Sequence, residues 1–212
     1  MSYSADQDAT YLKLVTRLLE GDVICPWSHP ALARVLENPD AQHRINRWVQ
    51  DLEMRLSETR SGTGMYLSYE GWNPQVKSAA KENFSKLIKD LRFYTQALEL
   101  LMSSLHPDVS FVPGEEIRFN NLLSQIDQSA TLQGQLASLP SSKKHEALRD
   151  QLDSLFSRMK KEGLLVEANT LHSIYQITAR MDLIQEMLEF IAENEALPNL
   201  EPDNAKSQSV LV

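Results

Sequence analysis

Cysteine is nearly absent. Cys25 is the only one in 212 residues, so no internal disulfide can form and a reducing cytosol is the expected compartment. It sits between Val23-Ile24 and Pro26-Trp27 and reads as a small buried strand residue. Long apolar runs are also missing. With no stretch of ~18 apolar residues, no transmembrane helix is expected. Met1 to Asp6 has neither a basic n-region nor an apolar h-region, so no signal peptide is expected. Basic charge is in deficit: 21 Lys and Arg stand against 29 Asp and Glu, a net charge of −8. An autonomous nucleic-acid binder usually carries a basic face strong enough to shift the whole domain. If this chain touches DNA, it needs a local basic patch and affinity borrowed from partners. That points to a subunit of an assembly.

Catalytic signatures are lacking as well. The five histidines, His29, His43, His106, His145 and His172, are scattered through turns and polar faces. None makes a His-x-x-x-His or Cys/His metal spacing. There are only seven glycines, and the one close pair sits at a hairpin tip, so no phosphate-cradling loop is present. No Gly-x-Ser-x-Gly elbow occurs. Asp and Glu read as solvated charge on helix surfaces. The expectation is a non-enzyme with no cofactor, no metal and no small-molecule substrate.

The most informative stretch runs from Asp40 to Tyr69. Ile45, Trp48, Val49, Leu52 and Leu56 recur at i, i+3, i+4, i+7 and i+11, which predicts one apolar helix face. The opposite face carries Gln42, His43, Arg44, Asn46, Arg47 and Gln50. Then the pattern changes to Leu56-Ser57-Glu58-Thr59, a turn at Arg60 to Gly64, and Met65 to Tyr69. Gly62 and Gly64 suit a tight hairpin. Upstream, Asp8–Glu20 reads as a helix burying Tyr11, Leu14, Val15 and Leu18, stopped by Gly21. Val23-Ile24-Cys25 reads as a short strand. Ser28 is a candidate cap for a second helix, with Pro30 in its first turn and Leu32, Val35 and Leu36 buried. Asn38 or Asp40 caps the third. Helix, strand, helix, helix, hairpin is the order of a winged helix-turn-helix, which reads DNA or docks protein.

Glu70 to Pro74 reads as a hinge. Beyond it Ala80, Phe84, Leu87, Leu91, Tyr94, Leu98, Leu101 and Leu105 alternate steps of four and three, an a/d heptad seam. A helix from Pro74 to Leu105 spans ~48 Å, so a partner helix is expected: the chain's own segment at 179–194, a second copy or another subunit. After a break at His106 to Gly114, Glu115 to about Ser129 reads as a helix burying Ile117, Leu122, Leu123 and Ile126. Thr131 to Leu139 reads as a short one. Lys144 to Lys161 reads as a third, with Leu148, Leu152, Leu155, Phe156 and Met159 buried. Leu164 to Ala168 and Ser173 to Thr178 make a second hairpin. A closing helix spans Ala179–Glu193, and the residues after Leu197 are expected to be disordered.

Candidate DNA contacts are His43, Arg44 and Arg47 on the third helix, Arg60 at the hairpin tip, Lys77 and Lys81 on the long helix, and Lys143, Lys144 and Arg149 at the start of the second block's third helix. Each also reads as an ordinary solubilising charge. Glu37, Asp40, Asp51, Glu53 and Glu58 dilute the first group. Asp150, Asp153, Glu162 and Glu167 dilute the second, which favours protein docking there. Phe84, Leu87, Leu91, Tyr94, Leu98 and Leu101 are the candidate protein interface.

The predicted fold is mainly α with small β-hairpins: tandem winged helix-turn-helix modules joined by a long helix. The divisions are 1–73, a connecting and dimerisation segment 74–114, 115–197, and a tail 198–212. This order, with phrases such as Leu18-Leu19-Glu20-Gly21-Asp22-Val23-Ile24, Glu162-Gly163-Leu164-Leu165-Val166 and Tyr175-Gln176-Ile177-Thr178, resembles the KITE family. Those are the tandem winged-helix, kleisin-interacting subunits of bacterial SMC-like complexes of the MukBEF, MksBEF and Wadjet kinds. The resemblance covers residues 8–194 and rests on architecture. It implies a cytoplasmic, nucleoid-associated homodimer without catalytic residues. Such a subunit grips a kleisin, is joined through it to an SMC-like ATPase, and helps to hold DNA non-specifically, in chromosome condensation or plasmid defence. A dimeric winged-helix transcriptional regulator and a plain adaptor without DNA contact remain alternatives.

Overall fold

A computed structural model describes residues 5–71, 74–104, 111–142 and 146–194. Helix α1 (Ala5–Leu19) buries Tyr11, Leu14, Val15 and Leu18, as their spacing requires. Gly21, at φ +85°, ends it, and the Gly21 and Asp22 N–H groups bond back to Leu18 and Arg17 carbonyls. Val23-Ile24-Cys25 forms one antiparallel bridge, Ile24 to Met65, instead of a full strand. Cys25 is buried as expected. Helix α2 (Pro30–Leu36) begins with its proline, but Ser28 does not cap it: the Ser28 hydroxyl donates to the Val23 carbonyl at 3.1 Å. Helix α3 (Pro39–Val49) is capped by Asn38, whose Oδ1 accepts the Asp40 N–H at 2.9 Å.

The apolar stripe expected to reach Leu56 on α3 stops short. A 3-10 turn spans Gln50–Leu52, and Glu53 (φ 54°) redirects the chain into β1 (Met54–Glu58), which pairs antiparallel with β2 (Met65–Tyr69). Trp48 and Leu52 are each 53% exposed. Leu56 lies on β1, opposite Leu67. From Met54 onward the main chain bonds across to β2 instead of continuing the helix.

Helix α4 (Pro74–Ser104) is the longest element. Its C-terminal half enters the main core, where Phe93, Tyr94, Ala97, Leu98, Leu100 and Leu101 are all 8% exposed or less. This corrects the expected interface. Tyr94, Leu98 and Leu101 face the chain's own α5, α6 and α8, and side chains so enclosed have no surface for a second copy. Leu91 is half-buried. The side chains of Ala80, Phe84 and Leu87, and all of Leu105, lie outside the described residues. The second half of the connector is thus part of the C-terminal core. Tyr94 donates to Glu162 at 3.3 Å, and burial together with that carboxylate pushes the phenol up to about 12.

The segment expected as one helix from Glu115 divides into β3 (Glu116–Arg118) and α5 (Phe119–Asp127). Ile117 and Phe119 alternate inward with exposed Glu116 and Arg118, a period of two, and β3 pairs with β5. Helix α6 (Ala130–Ser138) follows, then α7 (Leu148–Lys161), β4 (Leu165–Asn169), β5 (Ile174–Ile177) and α8 (Arg180–Asn194). The second sheet has the order β3-β5-β4. Phe156 anchors this core, with ring centroids 5.3 Å from Phe119 and 4.7 Å from Tyr175. The expected tail, 198–212, lies outside the described residues.

The two halves meet along a small seam. Val23, Cys25 and Ala179 are buried there, with Trp27, Tyr66 and Leu183 packed around them. Gly64 lets the hairpin lie against α8: a Cβ there would fall 2.4 Å from the Ala179 Cβ and 3.0 Å from Val23. Arg180 donates to the Gly21 carbonyl at 3.0 Å.

Candidate nucleic-acid interface

The exposed side of α3 and the outer strand of the first hairpin enclose a groove of about 410 Å³. His43, Asn46 and Arg47 line it from α3, Gln50 from the 3-10 turn, and Met54, Arg55 and Leu56 from β1, together with Glu70. Asn46 ties the two elements together by accepting the Leu56 N–H at 2.8 Å. Among the residues that line it, Arg47 and Arg55 stand against one carboxylate, Glu70.

The expected α3 residues do not act alike. Arg47 is exposed in the groove. His43 is exposed too, but its Nδ1 lies 2.8 Å from the Pro39 carbonyl. Arg44 turns away to cover Tyr11, 4.2 Å from the ring centroid, and also lies 5.9 Å from Trp48. Burial raises the Tyr11 phenol above its usual range, and the Arg44 charge opposes that rise. Arg44 is therefore occupied as a packing group. Arg55 was not among the expected contacts. Its signal was the strand alternation Met54-Arg55-Leu56, hidden while this stretch read as the end of a helix.

Arg60, expected at the tip of a DNA-reading wing, is held instead by α8. It grips Glu189 with two bonds, of 2.7 and 3.0 Å, and lies 3.9 Å from Glu186. The Arg60 N–H donates to Glu186 at 3.1 Å, and the Ser61 N–H and hydroxyl both donate to Asp182, which is only 7% exposed. The bond to Glu189 raises the guanidinium pKa, and the bond from Arg60 lowers that of Glu189. Asp182, Glu186 and Glu189, at i, i+4 and i+7, thus form an acidic stripe that clamps the hairpin tip.

In the second half the cations of α7 are largely engaged. Arg158 bonds Asp90 and stacks 3.7 Å over Phe93. Lys160 pairs with Glu167 at 3.3 Å, and Arg149 with Asp153 at 4.0 Å. Lys143 and Lys144, and the side chains of Lys77 and Lys81, lie outside the described residues. Among the described residues no cluster of His, Cys, Asp and Glu could hold a metal ion, and no helix is long and apolar enough to cross a membrane. No protein-family model matches the chain, and no curated protein matches it.

Proposed function

We propose that this chain is a non-catalytic, tandem winged-helix subunit of the KITE type, working inside a bacterial SMC-like complex. The observation that carries the reading is a repeated plan. In each half, a short extended segment ahead of the helices pairs antiparallel with the last strand of the hairpin that follows them, after α2 and α3 in the first half and after α5, α6 and α7 in the second. Ile24 pairs with Met65 in the first half, and β3 pairs with β5 in the second. The seam around Cys25 and Ala179 and the clamp on Arg60 join the two modules into one scaffold, which suits a part that shapes a larger assembly.

In this reading the kleisin docks on the scaffold and joins it to the ATPase, and the α3–β1 groove supplies modest, non-specific contact with DNA through Arg47 and Arg55. A small basic groove on an acidic protein gives weak binding alone and useful binding when partners hold DNA nearby. The paired cations of α7 favour protein docking for the second module. A second copy is proposed along α4 before Asp90, on the strength of the heptad spacing of Ala80, Phe84 and Leu87. Chromosome condensation and plasmid defence are equally served.

The test is co-expression of the tagged chain with its genomic neighbours, followed by affinity capture and mass spectrometry. Co-purification of a kleisin-like protein and a long coiled-coil ATPase is expected. A stable lone dimer that binds one DNA sequence tightly and salt-dependently would replace this reading with that of a transcriptional regulator.

A further inference from the structure

The α3–β1 groove contains a histidine whose tautomer the backbone fixes. His43 lies one turn ahead of Arg47 on α3, and both are exposed and line the groove. Arg55 lines it from β1, and the bond from the Leu56 N–H to Asn46 holds helix and strand together. The His43 Nδ1 lies 2.8 Å from the Pro39 carbonyl. A carbonyl oxygen only accepts, so Nδ1 carries the hydrogen. In the neutral ring Nε2, across from that bond, is then a bare acceptor. The oxygens of a phosphodiester are acceptors too, so neutral His43 offers them no bond. The protonated ring keeps its bond to Pro39 and gains an Nε2–H donor, charged and in the same groove as Arg47 and Arg55.

We infer that His43 is a proton-gated phosphate contact: the groove holds a DNA phosphate through Arg47 and Arg55 at any pH, and His43 joins them only as the imidazolium. Binding through it draws a proton from solvent. An anion beside the ring favours the charged form, and the charged form in turn strengthens the hold on the anion, so the two events promote each other. The other charges near the ring are Glu70 in the groove and Asp40 one turn earlier on α3, while Arg44 is turned onto Tyr11. Those carboxylates stand there with and without DNA, so the change on binding belongs to the phosphate. The inference rests on reading the α3–β1 groove as a DNA contact, and it adds a pH dependence that the two arginines alone do not give.

The experiment titrates the full chain into a short duplex of mixed sequence at low, constant ionic strength, from pH ~5.5 to ~8, across which imidazoles change charge. Duplex is the probe because its phosphodiesters stay ionised throughout, whereas a phosphate monoester itself titrates near ~6. Affinity is expected to rise several-fold towards the acid end. His43→Gln should lose most of that rise, and His43→Arg should bind at the alkaline end about as tightly as the native chain does at the acid end. His172→Gln, on the second hairpin, should keep the rise, which separates a contact from a general gain in positive charge. Calorimetry in buffers of different ionisation enthalpy should show proton uptake by the native chain that His43→Gln reduces. Both positions are exposed, and melting curves at each pH serve as the folding control. A rise in affinity that survives His43→Gln, or proton uptake unchanged by it, would overturn the inference and leave the groove standing as a DNA contact. Binding absent at every pH, or indifferent to Arg47→Glu with Arg55→Glu, would remove the groove reading and this inference with it.

Discussion

Gly64→Ala tests whether the two halves are locked together. The residue lies outside the left-handed region, so an alanine meets no backbone penalty there. Its penalty is steric alone. The new methyl would lie 2.4 Å from the Ala179 Cβ, 3.0 Å from Val23 Cγ1 and 3.3 Å from Thr59 Cγ2. Carbon atoms rest at ~3.5–4.0 Å, so the seam must open by roughly 1–1.5 Å at Ala179. Neither Ala179 nor Val23 has a flexible end that can swing aside. Overpacking of this kind costs about 1–3 kcal/mol. For a chain of this size, each kcal/mol lowers the melting temperature by roughly 2–4 °C. Thermal unfolding followed by circular dichroism should therefore show a loss of several degrees. The double variant Gly64→Ala, Ala179→Gly removes the opposing methyl and should regain most of it, a coupling expected of residues in contact. Gly134→Ala in α6, where nothing lies within 4 Å, is the control and should be neutral or slightly stabilising. An unchanged melting temperature for Gly64→Ala, or a loss that Ala179→Gly does not relieve, would refute the close docking of hairpin on α8.

Three further outcomes are expected. Arg47→Glu with Arg55→Glu should weaken DNA engagement by the assembled complex and reduce its salt dependence by about one unit of slope for each phosphate contact removed, with no change in melting; Arg44→Glu should instead disturb packing around Tyr11, and the two pairs of measurements separate these roles. Phe156→Ala should destabilise by about 3–5 kcal/mol in denaturant titration, since two rings lose their shared partner. His29 has its pKa lowered, chiefly by burial and against the pull of Asp22. The folded state therefore resists protonation while the unfolded state takes it up near the usual imidazole value of 6.5. Stability is complete above that pH and declines as pH falls from there towards the folded-state pKa; melting curves of His29→Gln should show a flatter profile across this window.

Helix positions and most of the core were legible because burial and periodicity agree along α1, α5 and α7: Leu14 and Leu18, Leu122 and Ile126, Leu152 and Phe156 face inward as their spacing demands. The first hairpin followed from Gly62, whose φ of 69° its turn uses, and the second from the two apolar runs around residues 165 and 175. The stretch at Glu115 misled, since Ile117, Leu122 and Ile126 fit a helix while the open edge of β5 took Ile117 into a ladder. That edge exists only once the hairpin has folded. Arg55 was missed because the spacing from Ile45 to Leu56 fits one helix face, while α3 ends at Val49 and Met54–Glu58 runs as a strand.

The residues of this chain by themselves determined its composition class, its helices and its hairpins, since those follow from local spacing and chemistry. Tertiary contact decided the rest. Arg60 is a clamp and not a free wing-tip cation because Asp182, Glu186 and Glu189, more than 120 residues away in sequence, stand beside it. Likewise, a heptad pattern records only that a face is apolar. That α5, α6 and α8 cover Tyr94, Leu98 and Leu101 depends on where those helices pack, which no periodicity along α4 can encode.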